Sequence, residues 1–485
     1  MRKDQIYLHN YINGTLRKPA DDQWIDVIDP SRNETFAYVA RSQKEDIEDA
    51  ISSAKDAFEG WADLGATKRS AIMMKIAELI DERSEILVAA ESLDNGKPIK
   101  LARHVDIPRA SANIRFFANA ILQFHGAQYP MDDGSINYTV HDPLGVVSCI
   151  SPWNLPLYLF TWKIAPALAA GNTVVAKPSE VTPYTAYLFS QICIDAGLPP
   201  GVLNIVHGYG HEVGDTMTTH PDVKAISFTG STMTGGIIAQ NAAKHFKKIS
   251  LEMGGKNPNI IFADCDYDEM LKTTLNSSFS NQGEICLCGS RILVEQSIYD
   301  RFISDFVEKT KKMKVGPPAA GDTRVGAIVS ELHYNKILSY IALASEEGGI
   351  IEVGGQAPKI PEPYHNGFFI EPTIITGLTH ECRTNQEEIF GPVVTVQAFS
   401  SEEEALALAN DSKYGLSATV WTENIHRAHR FSRKLESGIV WVNTWLKRDL
   451  RTPFGGVKQS GVGREGGMDA LHFFTEVKNI CIQIR

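Results

Sequence analysis

The stretch GVVSCISPWNLP, residues 145–156, begins the part of the chain that decides the fold. Its apolar run 146–150 is typical of a parallel strand that is buried on both faces. Downstream, apolar strand-like runs alternate with amphipathic helical patterns. The predicted helices are 159–169 and 182–196, and the predicted strands are 173–177, 202–206, 225–228 and 248–251. This alternation predicts a doubly wound parallel sheet.

A second alternating unit follows Gly254-Gly255-Lys256. A chain of 485 residues is too long for one ordinary core, so a second domain is expected. The predicted strands are 260–262, 292–294, 393–396, 417–421 and 438–443, and the predicted helices are 268–281, 298–313, 331–347 and 402–410. Three amphipathic helices, at 45–61, 67–87 and 99–124, precede both units and are expected to cover a sheet. The fold class is therefore α/β with two domains.

The composition excludes several classes of partner. The net charge is −11 and the lysines and arginines form no run, which argues against a nucleic-acid or anionic membrane surface. No apolar stretch approaches the roughly 20 residues that span a bilayer. Seven cysteines without a regular framework, and no apolar signal segment near the start, predict a reducing cytoplasm. We expect a soluble cytoplasmic protein.

The turn between Gly283 and Gly289 places Cys286 just before a strand-like run at 291–294. A thiol in such a turn can lie at the mouth of a cleft, where it can act as a nucleophile. The alternative is a small side chain packed in the core, which is the commonest role of a free cysteine. Cys288 completes a Cys-x-Cys spacing, but no second ligand cluster accompanies it, so no metal site is predicted.

Polar and small residues follow the predicted strands of the first unit, at the edge where ligands of parallel sheets bind. They are Asn154, Lys177, Gly208, Gly230-Ser231 and Glu252. Small residues at a helix start leave backbone N–H groups free, so the Gly230-Ser231 turn is a phosphate candidate. The run 208–214 resembles the dinucleotide fingerprint but is one residue too long, and as a lone motif it is weak.

Seven motifs occur in an order that resembles the aldehyde dehydrogenase superfamily, from about Leu8 to the end of the chain. They are PWNLP 152–156, KPSE 177–180, FTGS 228–231, LEMGGK 251–256, GEICLCGSR 283–291, EIFGP 388–392 and PFGGVK 453–458. The resemblance implies an aldehyde dehydrogenase-like fold with two doubly wound α/β domains. A Rossmann-like NAD-binding domain is expected at 1–124 and 143–252 and a catalytic domain at 253–455. A small β oligomerisation arm is expected at 125–142 and 470–485.

The same resemblance implies NAD-dependent oxidation of an aldehyde to a carboxylic acid through a thiohemiacetal and a thioester. Cys286 is then the nucleophile, and its backbone N–H acts with the Asn154 amide as oxyanion donors. Glu252 is the general base that activates water to hydrolyse the thioester. Each role is what the resemblance implies for the residue that occupies the matching position.

The cofactor implied by the resemblance is NAD. Lys177 and Glu180 match the positions that hold the adenosine ribose, and a carboxylate at Glu180 favours NAD over NADP because it repels a 2′-phosphate. Ser231 is expected at the pyrophosphate, and Glu388 at the nicotinamide ribose. The full expected set is Ile150, Ser151, Trp153, Lys177, Ser179, Glu180, Gly210, Gly214, Phe228, Gly230, Ser231, Gly254, Glu388 and Phe390.

The Cys286 turn and the segment 151–158 are similar to the 2-aminomuconic and 2-hydroxymuconic semialdehyde dehydrogenase branch. Its substrates carry a carboxylate far from the aldehyde, and arginine binds carboxylates in bidentate fashion. Arg109 and Arg448 match that branch, with Phe454 as a further substrate contact and Arg451 as a rival to Arg448. The sequence leaves open which of these two arginines meets the carboxylate, and whether the amino or the hydroxy semialdehyde is preferred.

Three other readings remain at this point. A betaine-, succinate- or retinal-type aldehyde dehydrogenase is the alternative within the family. A non-redox cysteine hydrolase or acyltransferase needs a histidine partner, and none lies within the seven motifs. A binding protein on this fold would not need Cys286, Glu252 and Asn154 together. The strand-like end, 473–485, and the polar segment 129–141 resemble the oligomerisation element, which implies a homodimer or homotetramer.

Overall fold

A computed structural model describes residues 5–484, and within them the first large sheet has five parallel strands at its centre. Antiparallel strands extend it at both edges. The strands, in sheet order, are Gly461–Val462, Lys248–Glu252, Val223–Thr229, Val146–Ile150, Thr173–Lys177, Leu203–Ile205, Asn10–Ile12 and Thr15–Arg17. The chain reverses its direction of travel across the sheet between Val146–Ile150 and Val223–Thr229, and ligands of such sheets bind at this switch point.

Helices cover both faces of this sheet. They are Lys44–Asp63, Ala66–Glu82, Ser84–Asn95, Ile107–Ala120, Pro156–Ala169, Tyr184–Asp195, Gly210–Thr219 and Thr232–Ala243. The helix Pro156–Ala169 is buried along its whole length, since it lies between the sheet and the outer helices. Its mostly apolar sequence, interrupted by Lys163, follows from that position.

Two helices predicted from the sequence are broken in the structure. The predicted helix 67–87 divides at Arg83 into Ala66–Glu82 and Ser84–Asn95. The predicted helix 99–124 becomes an α-helical turn Ile99–Leu101, a π-helix Ala102–Asp106, the α-helix Ile107–Ala120 and a 3₁₀ turn Ile121–Gln123. Pro108 has no N–H to donate to His104, and Ile107 donates to Ala102 in the wider π pattern instead.

The second large sheet is parallel except at one edge, where Ile350–Val353 is antiparallel. Its strands, in sheet order, are Ile350–Val353, Thr373–Thr376, Val393–Phe399, Arg291–Glu295, Pro258–Ile261, Ser417–Trp421 and Ile439–Val442. The helices around it are Tyr267–Phe279, Tyr299–Lys311, Glu331–Glu346, Arg383–Gln386, Glu402–Asn410 and Ile425–Ser432. The prediction of two doubly wound α/β units is confirmed.

Smaller sheets complete the molecule. Ile6–Leu8, Glu34–Ala40 and Trp24–Asp29 form one, and Tyr414–Gly415 pairs with Val457–Lys458. In a third, Gln128–Pro130, Ile136–Pro143 and Thr475–Ile482 are antiparallel, so the two segments that the sequence assigned to an arm are hydrogen-bonded to each other. The chain returns to the first large sheet at Gly461–Val462, in a segment that the predicted boundaries gave to neither domain, and the helix Gly467–Phe473 follows.

Within residues 5–484, no helix is long and apolar enough to cross a lipid bilayer.

Candidate active site

The turn before Cys286 runs through three consecutive residues in the left-handed region: Asn281 (φ 50°), Gln282 (φ 55°) and Gly283 (φ 73°). A Cβ at Gly283 would lie 2.1 Å from the Gly391 carbonyl oxygen, so only glycine fits there. The amide of Asn257 then holds the turn from the other side. Its Nδ2 donates to the carbonyl oxygens of Cys286 (2.7 Å) and Cys288 (2.9 Å). The backbone of Cys286 is therefore fixed.

Two cavities meet at Cys286. The larger, of about 580 Å³, is also lined by Arg109, Tyr158, Glu252 and Arg448. The smaller, of about 230 Å³, is also lined by Trp153, Asn154, Gly230, Ser231, Gly254, Glu388 and Phe390. Residues from the predicted catalytic set line both cavities. Cys286, the predicted nucleophile, can therefore be approached by one molecule from each side.

Asn154 is buried beside the Cys286 turn, and both its side-chain amide and its backbone carbonyl form hydrogen bonds. Its side-chain Nδ2 donates to the Glu284 carbonyl oxygen at 2.8 Å. Its own carbonyl oxygen accepts from Lys97 Nζ (3.1 Å) and from Asn281 Nδ2 (3.0 Å). Since an amide NH₂ has two hydrogens, one remains for a ligand in the smaller cavity.

The Cys286 thiol has its pKa raised above the ordinary value of 9.0, first by burial and then by the carboxyl groups of Glu252 and Glu388. The Arg448 guanidinium acts in the opposite direction. In the protein alone the thiol is therefore neutral near pH 7. A thiolate forms there only when a further positive charge arrives or when a base removes the proton.

Glu252 ends the strand Lys248–Glu252, and within residues 5–484 neither of its carboxyl oxygens has a hydrogen-bond partner. Burial, followed by the charge of Glu465, holds the pKa of Glu252 well above its usual value. Positive charges on Lys163, Arg464 and Arg448 oppose this shift. A raised pKa is what a general base needs in order to take and release protons near neutral pH.

Glu388 lies over the Gly254-Gly255 backbone in the smaller cavity. Its Oε1 accepts from the Gly255 N–H at 2.8 Å. A Cβ at Gly254 would lie 2.1 Å from Glu388 Oε2, so glycine is required for this contact. One carboxylate oxygen is thus anchored to the backbone and the other lies beside it.

An aromatic wall closes the same cavity. The ring of Trp153 is perpendicular to that of Phe390, with centroids 5.3 Å apart, and is 5.0 Å from the ring of His333. His333 Nε2 lies 2.6 Å from the Phe390 carbonyl oxygen. Burial lowers the pKa of His333 to about 4, so its ring is neutral at physiological pH. Such a wall suits a flat ring more than an ion.

The helix Thr232–Ala243 begins at the smaller cavity. Ser231 caps it by accepting from the Thr234 N–H at 3.1 Å. Gly230 has no room for a side chain, because a Cβ would lie 2.4 Å from Phe228 Cζ. The helix start therefore presents backbone N–H groups to the cavity, in the arrangement that binds a phosphate.

The remaining predicted cofactor residues lie mostly at neighbouring strand ends. Lys177 ends Thr173–Lys177 and pairs with Glu180 at 3.0 Å. Ser179 Oγ accepts from the Val181 N–H, and Ser151 Oγ is buried with no hydrogen-bond partner among residues 5–484. Ile150 ends the strand Val146–Ile150. Gly210 and Gly214 lie on the helix Gly210–Thr219 and line neither cavity at Cys286.

Two arginines line the larger cavity. Arg448 Nη1 donates to the Tyr158 hydroxyl at 2.9 Å, and its guanidinium lies 3.9 Å from the centre of the Phe454 ring. Arg109 lies 5.8 Å from the centre of the Tyr158 ring. Arg451 is directed elsewhere: its side chain is 79% exposed and pairs with Asp449 at 2.6 Å. The structure thus brings Arg109 and Arg448, and not Arg451, into the cavity that contains Cys286.

A model of the aldehyde dehydrogenase family matches residues 17–480. The chain belongs to the aldehyde dehydrogenase family. It is 51% identical to 2-aminomuconic semialdehyde dehydrogenase of Danio rerio over 100% of both chains. It is 44% identical to 2-hydroxymuconic semialdehyde dehydrogenase of Pseudomonas sp. strain CF600, over 98% of this chain and 99% of that protein. Betaine aldehyde dehydrogenase of Staphylococcus aureus, solved with NAD+, is 40% identical with a TM-score of 0.95, over 98% of this chain and 94% of that chain.

This family membership confirms the predicted chemistry. The enzyme is an NAD-dependent oxidoreductase that converts an aldehyde to a carboxylic acid, and the hydrolase, acyltransferase and binding-protein readings do not apply. The smaller cavity combines a helix start for a phosphate, an aromatic wall and the carboxylate of Glu388, which suits one end of the cofactor. Within residues 5–484, no group of three or more His, Cys, Asp or Glu side chains is arranged to hold a metal ion.

The structure adds residues that the sequence reasoning missed. Tyr158 contacts both arginines of this aldehyde dehydrogenase; it lies in the segment 151–158 that resembles the branch, but no local pattern indicates which residue of that segment reaches the arginines. His333 joins the aromatic wall from a helix of the second domain, and nothing in its local sequence indicates this. Glu465 lines the larger cavity, and its Oε1 accepts from Lys163 Nζ at 2.8 Å. Lys163 is the one signal available: a charged residue inside an apolar helix usually has a buried partner.

Proposed function

We propose that this chain oxidises 2-aminomuconate 6-semialdehyde to the dicarboxylate with NAD as the acceptor, and that 2-hydroxymuconate semialdehyde is its second substrate. The observation that carries the proposal is that Arg109 and Arg448 line the same cavity as Cys286. The 51% identity to an enzyme named for the amino substrate, over the whole chain, supports it.

The positive charges of Arg109 and Arg448 favour a carboxylated substrate over the alternatives within the family. A guanidinium binds a carboxylate through two N–H groups, and Tyr158 offers a further donor when Arg448 turns to the substrate. Betaine aldehyde carries a quaternary ammonium, which two guanidinium groups repel. Retinal carries no charge and would leave both guanidinium groups without an anion. Succinate semialdehyde shares the carboxylate but is shorter, so it belongs in the substrate panel.

Catalysis begins when the Cys286 thiol passes its proton through Glu252 to solvent and the resulting thiolate attacks the aldehyde carbon. A carbon–sulfur bond forms, and the carbonyl oxygen becomes an oxyanion. The free N–H of Asn154 and the backbone N–H of Cys286 donate to that oxygen, and a donor of this kind is worth about 10²–10³ in rate. The Arg448 charge favours the thiolate and binds the distal carboxylate.

When bound, NAD would supply the acceptor for the hydride that the tetrahedral carbon loses. Loss of the hydride leaves a thioester on Cys286. Glu252 then removes a proton from a water molecule, and this water attacks the thioester and releases the acid. Glu388 and the Gly230-Ser231 helix start are the groups proposed to orient the cofactor, with the Lys177–Glu180 pair at the adenosine ribose.

The proposal extends to domains, assembly and compartment. Residues 1–124 and 143–252 are proposed as the NAD-binding domain, 253–455 as the catalytic domain and 125–142 with 470–485 as the oligomerisation arm of a homodimer or homotetramer. Exposed apolar side chains on the strand Thr475–Ile482, such as Val477 (56% exposed), support an assembly role. All seven cysteines are free thiols, which supports the cytoplasm.

The substrate is tested with a pair of arginine variants and a panel of aldehydes. Formation of NADH is followed with each aldehyde, and the two semialdehydes with a distal carboxylate are expected to give the highest kcat/KM. Arg448→Ala is expected to raise the KM of a carboxylated semialdehyde about tenfold or more, because a charge-assisted bond is lost.

Arg451→Ala is the matched control, since it removes a neighbouring arginine that lies outside the cavity. It is expected to leave KM within about twofold. The KM of an uncharged six-carbon aldehyde should change little in Arg448→Ala, whereas kcat falls for both aldehydes because the charge that favours the thiolate is lost. An equal rise in KM for the charged and the uncharged aldehyde would contradict the carboxylate-binding role.

A further inference from the structure

A buried polar segment lies behind the proposed oxyanion donor and is not part of either cavity. It is the end of the helix Ser84–Asn95 with the two residues that follow, and we name it the 91–97 segment. Gly96 lies in the left-handed region (φ 82°), and a Cβ there would be 2.8 Å from the Ala327 carbonyl oxygen. The tight turn at Gly96 directs the chain inward, so that Lys97 has no solvent exposure.

The 91–97 segment bonds to successive residues of the stretch that contains Asn154. Asn95 Nδ2 donates to the Trp153 carbonyl oxygen at 3.0 Å. Lys97 Nζ donates to the Asn154 carbonyl oxygen at 3.1 Å. Both acceptors lie in the irregular backbone between the strand Val146–Ile150 and the helix Pro156–Ala169, where the sheet and helix leave carbonyl groups without ladder partners.

Two buried carboxylates lie near the Lys97 ammonium group. Its Nζ lies 2.6 Å from Asp106 Oδ2 and 4.0 Å from Glu91 Oε1, and neither carboxylate side chain is exposed. Burying an ammonium group is costly, and a pair of this kind is often replaceable by apolar residues without loss of stability. Stability alone therefore does not explain a lysine here, whereas the bond to the Asn154 carbonyl does.

We propose that Lys97 is a positioning residue for the oxyanion donor: its ammonium group fixes the backbone of Asn154 so that the free side-chain N–H points at the reacting oxygen. The inference rests on the role of Asn154 in the proposed function. Asn281 Nδ2 donates to the same carbonyl oxygen and to that of Glu284, and Asn154 Nδ2 donates to Glu284. With Lys97 behind it and Glu284 beside it, the Asn154 amide has one orientation.

An oxyanion donor loses most of its value when it moves by about 1 Å, since the hydrogen bond must match the position of the charge in the transition state. Removing the Lys97 contact frees one side of the Asn154 peptide. The expected consequence is a slower first chemical step with intact binding of NAD, because no cofactor-lining side chain is changed.

The test compares variants that both lack the Asp106 charge. Lys97→Met alone leaves Asp106 without its partner and is expected to unfold the protein readily. The informative pair is therefore Asp106→Asn against Lys97→Met/Asp106→Asn. We expect the double variant to bind NAD with the dissociation constant of the single one, and to form NADH in the first turnover at least about tenfold more slowly.

Ser92→Ala is the matched control inside the same segment. It removes a 2.7 Å bond from Ser92 Oγ to the Lys97 carbonyl oxygen and touches neither Trp153 nor Asn154. It is expected to lower the thermal midpoint while leaving the first-turnover rate within about twofold. A tenfold loss of rate in Ser92→Ala would contradict a specific role for the Lys97 ammonium.

A double-mutant comparison with Asn154→Ala shows whether Lys97 acts through the Asn154 amide or through the structure in general. On an Asn154→Ala background, the added Lys97→Met change should have almost no effect on the rate relative to Asp106→Asn/Asn154→Ala, because the donor it positions is gone. An undiminished tenfold effect there, or no effect of Lys97→Met with Asn154 present, overturns the inference alone. A normal rate in Asn154→Ala itself would instead overturn the proposed role of Asn154.

Discussion

Cys286 and Glu252 line the same larger cavity, and burial raises the pKa of both. It raises the pKa of the thiol above 9.0 and that of the carboxyl well above 4.5, and each carboxylate near the thiol adds to the shift. Arg448 is the opposing charge on the substrate side. Without ligands, the Cys286 thiol is therefore neutral near pH 7, and the positive ring of a bound NAD+ would favour the thiolate.

A pH profile of alkylation tests this state of Cys286. The thiolate is the reactive form, so a raised pKa predicts slow reaction with iodoacetamide at pH 7 and a rate that increases about tenfold per pH unit to beyond pH 9. Saturating NAD+ is expected to accelerate labelling near pH 7, since a nearby cation lowers the thiol pKa. Mass spectrometry of the labelled Cys286 peptide separates it from the exposed Cys481. A plateau below pH 8 without NAD+ would contradict the prediction.

At the scale of elements, two helix N-termini with the same cap have different surroundings. Ser231 caps Thr232–Ala243 at the smaller cavity, and Ser401 caps Glu402–Asn410 on the outside of the second domain. Each accepts a backbone N–H at 3.1 Å. Because the two caps have the same geometry, a variant effect seen only at Ser231 reports on the cofactor site and not on capping.

Replacing either serine by alanine is expected to lower the free energy of unfolding by about 1 kcal/mol, the usual contribution of such a cap. Only Ser231→Ala is expected to weaken NAD binding as well, by about threefold or more, because it disturbs the helix start proposed for the pyrophosphate. Denaturant unfolding and calorimetric titration with NAD measure the two effects. Equal NAD affinity in the two variants would remove Ser231 from the cofactor site.

At the scale of the whole molecule, the antiparallel sheet of the proposed arm leaves apolar side chains exposed. Val477 and Ile482 on the strand Thr475–Ile482 are 56% and 47% exposed. Val477→Asp is expected to lower the mass in solution toward the 53.5 kDa of a single chain, because association would bury the new carboxylate. Light scattering after size exclusion measures the mass.

Leu332→Asp is the control. It makes the same kind of change at an apolar residue that is 84% exposed and belongs to the helix Glu331–Glu346, outside the proposed arm. It is expected to leave the mass unchanged. A wild-type chain that already runs at 53.5 kDa, or the same shift in both variants, would argue against the arm as the assembly surface.

The sequence by itself determined the fold class and the chemistry, and it predicts Cys286 as the nucleophile. Apolar runs such as 146–150 and 417–421 are strands with those bounds because burial on both faces leaves only one pattern for them. Motifs such as Gly254-Gly255 and Gly230-Ser231 were informative because their glycines are required by backbone contacts at the site. The break at Arg83 and the π-helix Ala102–Asp106 were missed, since helical periodicity continues through both.

Only the tertiary structure decided which distant side chains share a cavity. Arg448 and Arg451 are three residues apart and equal by sequence, yet one packs on Phe454 beside the cavity and the other pairs with Asp449 outside it. The same holds for Lys97 behind Asn154 and for Glu465 near Glu252. Local pattern records which face of an element is buried, whereas a site depends on which buried faces meet, and that is settled by packing over the whole chain.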